Sequence, residues 1–156
     1  MTDIPSTVRK FIQKARVARL ATVDSQSVPH LVPVVFVFDG FHFFIPIDEK
    51  GKITKPAKLK RIRNIQQNPN VALLIDKYSE DWPELAFVMI QGRASIANKT
   101  DEKNIEVRKA YRMLTTKYIQ YQRVGIGQMC IMIRPEHVIY WTNSKHEMNG
   151  GGSSFE

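Results

Sequence analysis

Apolar residues along this chain first repeat at helical spacing, then alternate, and the switch recurs several times. Val8, Phe11, Ile12 and Ala15 follow Ser6 and Thr7, two able caps, which predicts a helix over residues 6–15. Residues 16–24 alternate with period two and run into the turn residues Asp24, Ser25, Gln26 and Ser27, a strand and its reversal. Residues 29–38 and 41–47 are extended runs rich in Val and Phe around Asp39-Gly40, the pair favoured in a two-residue type I′ hairpin. Pro33 cannot donate to a ladder. Its strand is therefore expected at an edge, at a bulge, or where backbone groups face something other than a neighbouring strand. Residues 57–67 predict a short helix with Leu59, Ile62 and Ile65 toward the core and Lys58, Arg61 and Asn64 on a neighbouring face. Pro56 suits its first turn and Thr54 its cap, which would leave backbone donors free for an anion. Two further strands are expected over 70–76 and 85–97, then an amphipathic helix over 101–116 with Val107, Ala110, Tyr111 and Leu114 on one stripe. The last two strands, 128–133 and 137–142, flank Arg134, Pro135 and Glu136. Short strands in hairpin succession with few helices argue for a mainly β (α+β) protein built on an antiparallel, barrel-like sheet.

Charge changes the picture at one place. The chain has 156 residues, 23 Lys plus Arg and 15 Asp plus Glu, a net charge of +8. Seven of the cations (Lys50, Lys52, Lys55, Lys58, Lys60, Arg61, Arg63) fall within 50–63, a stretch without an acid, and the remainder is nearly balanced. Concentrating like charge beside a core element raises the local potential and favours an anionic partner. The length suits one domain, expected over residues 1–144, with a flexible Gly- and Ser-rich tail over 145–156. A single cysteine, Cys130, excludes an internal disulfide and a cysteine-based zinc site; within its apolar run it reads as a small buried hydrophobe. No cationic leader or long apolar run occurs, so a cytoplasmic location and no membrane span are expected.

Several chemistries have no motif here. Gly125-Ile126-Gly127 lacks the third glycine of a dinucleotide loop, and neither a phosphate loop nor a nucleophile elbow is present. The histidines His30, His42, His137 and His146 are scattered, without metal spacing, so no metal site is expected. No catalytic acid or base announces itself, as suits a reaction whose chemistry resides in a bound cofactor.

Particular strings then gain meaning from their order. Residues 15–24, residues 29–36, the basic helix ending in 61–69, and Leu74-Ile75-Asp76 ahead of Glu80-Asp81-Trp82 together resemble the pyridoxamine-phosphate-oxidase-like split β-barrel superfamily, and within it the deazaflavin (coenzyme F-420)-dependent oxidoreductase branch. The resemblance covers residues 10–142 and implies a split barrel of the FMN-binding-protein kind with short flanking helices. It also implies a homodimer with the cofactor in a groove between protomers. By position it places Val32, Pro33, Val34 and Val35 along the cofactor ring, with Ile47 and Asp48 flanking it. Lys58, Lys60, Arg61 and Asn64 fall at the phosphate, and Trp82 at the groove as a lining aromatic. The activity implied is hydride transfer between the deazaflavin ring and a small unsaturated organic substrate, with an FMN-binding oxidoreductase or flavin carrier as the alternative. The surplus of cations favours the deazaflavin, whose polyglutamate tail is the more anionic. True pyridoxamine phosphate oxidases differ in their phosphate-binding pattern and their arginine-bearing C-terminal segment, so pyridoxal phosphate synthesis is disfavoured. A haem-binding or cofactor-free barrel is a further option. A single-stranded nucleic-acid barrel using Phe36, Phe38, Phe43 and Tyr78 is the distant one, disfavoured because those aromatics alternate as core residues do.

Overall fold

A computed structural model of the chain describes residues 4–48, 58–101 and 104–144. The cations Lys50, Lys52 and Lys55, the expected cap Thr54 and Pro56, His146 and the expected tail lie outside the described residues.

One curled antiparallel sheet of seven strands organises the molecule, in the order β2-β1-β5-β6-β7-β4-β3. Its strands are β1 (Ala18–Val23), β2 (Pro29–Val34), β3 (Val37–Phe38), β4 (Phe43–Pro46), β5 (Asn70–Lys77), β6 (Ala86–Asn98) and β7 (Met129–Thr142). Helices α1 (Ser6–Lys14), α2 (Lys60–Gln67), α3 (Ile105–Lys117) and α4 (Gln120–Val124) flank it. This is the split-barrel architecture expected from the chain's pattern and strings. No described helix is long and apolar enough to cross a membrane.

The core has two parts. Val8 and Ile12 of α1, Ile62 and Ile65 of α2, and Leu20, Phe36, Phe43, Ile45, Ile47, Leu73, Ile90 and Ile131 close the first. Val107, Ala110, Tyr111 and Leu114 of α3 close the second with Val37, Phe44 and Cys130. Strand β4 separates them, so successive residues Phe43, Phe44 and Ile45 are all buried although their side chains alternate in direction. The stripe read from the sequence of α3 is the buried one, and Cys130 is fully buried, its thiol pushed up to about 12 by that burial.

Three local expectations need correction. The chain around Asp39-Gly40 is not a two-residue hairpin, because Phe38 pairs with Phe43 and four residues intervene. The Asp39 carboxylate accepts from the backbone N–H groups of Phe41 and His42 at 2.8 and 2.7 Å, which stabilises the wider turn, and Gly40 supplies its φ of +105°. Residues 29–38 likewise do not form one strand. β2 pairs with β1, β3 pairs with β4, and the chain changes partner between Val34 and Val37. At that junction Tyr118 substitutes for a neighbouring strand: its hydroxyl lies 3.1 Å from the N–H and 2.9 Å from the carbonyl of Phe36. Finally, β7 runs unbroken through Pro135. A bulge between Gln91 and Gly92 absorbs it, with Gly92 opposite Pro135 and Gln91 opposite His137.

Candidate functional site

Among the described strands β2 pairs only with β1 and is one edge of the sheet, one of the placements that Pro33 allowed. Beyond that edge a groove of about 400 Å³ is lined by Val17, Val32, Pro33, Val34, Val35, Pro46, Asp48 and Arg61. Its size falls within the range of small-molecule sites. The edge strand and the junction after it supply Val32, Pro33, Val34 and Val35, β4 and the residues after it bring Pro46 and Asp48, and α2 brings Arg61.

The helix that carries Arg61 begins later than its sequence suggests. Leu59 is the N-cap, in extended conformation and without a side-chain cap, and Lys60 is the first helical residue. Ile62 and Ile65 anchor α2 in the core. Arg61 is thereby held half-buried at the groove. Burial lowers its guanidinium pKa below the ordinary arginine value, while the charge of Asp48 pulls it back up. Its Nε is buried and has no hydrogen-bond partner among the described residues. A desolvated guanidinium with a free donor, beside apolar wall, suits an anionic group of a ligand.

Asp48 is itself engaged. The hydroxyl of Tyr121 donates to its Oδ1 at 3.0 Å, and burial together with the Asp48 charge raises the Tyr121 pKa well above the usual phenol range. That tyrosine is thus a poor proton donor at neutral pH.

The other residues singled out from the sequence sit apart from this cluster. Ile47 is fully buried in the first core, its N–H donating to the Met129 carbonyl. Asn64 is 1% exposed and its amide donates to Thr22 Oγ1 at 2.9 Å, which ties α2 to β1. Lys60 forms an ion pair with Asp24 at 2.8 Å, and that contact, with backbone N–H bonds from Val28 and Gln26, holds the Asp24 carboxyl down to about 2. Lys58 is exposed and does not line the groove. Trp82 lies on a 3-10 turn between β5 and β6, 65% exposed and outside the groove. Conversely, Val17, Pro46 and Tyr121 belong to the site and were not expected there. Tyr121 joins Asp48 from far along the chain, a juxtaposition for which the sequence carries no local signal. Among the described residues no group of three or more His, Cys, Asp or Glu could hold a metal.

With this geometry in view, comparison with known proteins decides the family. The model of the family described as pyridoxamine 5'-phosphate oxidase matches residues 4–142. The chain belongs to that family. No curated protein sequence matches the chain. Among solved structures, a conserved hypothetical protein from Mycobacterium tuberculosis superposes with a TM-score of 0.71 at 20% identity, covering 98% of this chain and 97% of that one. The heme storage protein HutZ from Vibrio cholerae gives 0.66 at 16% identity, covering 90% and 95%. An F420 reductase gives 0.60 at 18% identity, covering 86% and 98%. These likenesses establish the split-barrel fold, and the proteins that share it hold different groups.

Proposed function

We propose that this chain is an oxidoreductase that moves a hydride between a flavin-type ring and a small unsaturated organic substrate. The deazaflavin coenzyme F-420 is the leading cofactor and FMN the alternative. The observation that carries this reading is the half-buried Arg61 guanidinium, whose Nε has no partner among the described residues, lining one groove with Val32 to Val35. Aliphatic residues beside a half-desolvated cation suit a ring with an acidic end. Membership of the family and the F420 reductase neighbour support the same class.

The residues that would hold the cofactor are Val17 and Val32 to Val35 against the ring and Arg61 at its acidic group. When bound, the deazaflavin supplies the hydride at its ring carbon. The protein's part is orientation and exclusion of water along β2, where Pro33 presents no N–H to compete for hydrogen bonds. Tyr121 keeps its proton and fixes Asp48, so solvent is the proposed source of any proton the acceptor needs. The open edge at β2, with Leu31 65% exposed, supports a homodimer in which a second copy covers the groove.

A haem reading has the HutZ likeness in its favour. Against it, the lining of the Arg61 groove contains no His, Cys, Met or Tyr to serve as an axial ligand. The test is titration of dialysed protein with F-420, FMN and hemin, followed by fluorescence and absorbance. Saturable, stoichiometric F-420 binding is expected. A strong Soret band with hemin and no response to either ring cofactor would overturn the reading.

A further inference from the structure

Helix α3 carries a second concentration of positive charge that counting along the chain conceals. Arg108 and Arg112 lie one turn apart on the same face of it. Lys99 reaches the same place from the end of β6, its Nζ 5.3 Å from the Tyr111 ring centroid. These three cations, with Tyr111, Tyr121 and Ile126, line a groove of about 680 Å³ beside α4. Among the described residues no carboxylate lines it, and none of the three cations forms an ion pair. Like charges facing one cavity without a counter-charge raise its potential and draw anions in. Of the described acids, Glu106 of α3 faces His42 at 3.7 Å, and Asp48 accepts from Tyr121.

This groove adjoins the Arg61 site through one pair of side chains. Tyr121 lines the cationic groove, its hydroxyl donates to Asp48 Oδ1 at 3.0 Å, and Asp48 lines the groove at β2. A ligand seated on α3 would therefore lie across the Tyr121–Asp48 pair from the proposed ring.

We infer that the α3 groove is a second ligand site, and that Lys99, Arg108 and Arg112 select ligands carrying a carboxylate on an apolar body. Tyr111 and Ile126 provide the apolar contact, and the paired guanidinium groups match the fork geometry of a carboxylate. Hydride transfer needs its acceptor in contact with the ring, so this site is distinct from the acceptor position, and the preference for an apolar carboxylate stands on the groove itself.

The experiment is isothermal titration of the full chain with trans-cinnamate, its neutral amide cinnamamide and inorganic phosphate, repeated with the Arg108→Gln/Arg112→Gln variant and paired with F-420 titrations of both proteins. Cinnamate should bind about tenfold more tightly than the amide in the native chain. That preference should fall to about threefold or less in the variant, whose F-420 affinity is unchanged, because both guanidinium groups are exposed and lie outside the ring site. Equal binding of cinnamate and cinnamamide, a preference that survives in the variant, or phosphate binding as tightly as cinnamate overturns the inference. Loss of all F-420 binding with the cinnamate preference intact overturns the cofactor reading instead and upholds the cationic groove.

Discussion

At Arg61 two effects oppose each other: burial strips water from the guanidinium, and Asp48 attracts it. The first is the larger, so the cation lacks a full complement of partners and gains most from an incoming anion. Arg61→Ala should weaken cofactor affinity by about 1 to 3 kcal/mol, the range of a charge-assisted hydrogen bond. Its urea midpoint should not fall, since the variant loses a desolvated charge and no described contact. Fluorescence titration beside a denaturation curve checks both halves. Lys117 is a second half-buried cation, its Nζ donating to the Phe36 carbonyl at 3.1 Å and lying 4.2 Å from the Phe36 ring centroid. Burial, reinforced by the charge of Arg16, lowers its pKa from 10.5 to about 8. The folded chain therefore releases this proton before the unfolded chain does. Below about 8 the cost of burying the charge is felt in full, and between about 8 and 10.5 stability from this group rises with pH. Urea midpoints of the native chain and of Lys117→Met across that interval should show the native chain gaining relative to the variant. A constant difference would mean that Lys117 titrates normally.

At the scale of elements, the junction between β2 and β3 decides where the groove opens. The chain leaves β1 after Val34 and joins β4 at Val37, and the Tyr118 hydroxyl meets the stranded N–H of Phe36 between them. Tyr118→Phe removes that acceptor from a buried donor, and a loss of about 1 to 3 kcal/mol is expected. Hydrogen exchange should show the Phe36 amide losing protection more than the amides of β5. The bulge of β6 on β7 is the second determinant. A Cβ placed on Gly92 would lie 2.2 Å from the backbone carbonyl oxygen of Arg134, a contact no rotamer can relieve. Gly92→Ala should destabilise the fold by about 1 to 3 kcal/mol or more, read from the thermal midpoint. Both features were half visible beforehand: Pro33 marked an edge and Pro135 an interruption. What local chemistry could not reveal is that a partner across the sheet accommodates Pro135 through a bulge, and that a tyrosine on another element replaces a strand at Phe36.

Over the whole molecule, the outer face of the sheet bears apolar side chains that no described element covers. Leu31 of β2, Leu74 of β5 and Trp141 of β7 are 65%, 37% and 43% exposed, and the Phe87 and Trp141 rings stack at 6.2 Å between centroids. An exposed face of this kind, continuous with the groove edge, is the physical basis for the proposed homodimer. Sedimentation should report twice the chain mass of 18.0 kDa, and Leu31→Glu should shift the population toward the monomer. A native chain that sediments as a monomer at high concentration would remove the shared groove.

By itself the sequence determined the kind of most elements, many of the residues that face the core, a short choice of placements for Pro33, and the concentration of cations ahead of and within α2. These follow from periodicity and composition, which act over a few residues at a time. It also carried enough ordered strings to point to the fold. Only the tertiary structure decided which cations face a cavity. Lys60 turned to Asp24, the amide of Asn64 turned inward to Thr22, and Arg61 alone of the singled-out α2 cations reached the groove. It likewise brought Tyr121 to Asp48 and gathered Lys99, Arg108 and Arg112 around one space. Such meetings depend on how the sheet curls and where distant helices dock, and no local pattern along the chain encodes the direction of a side chain relative to an element far away in sequence.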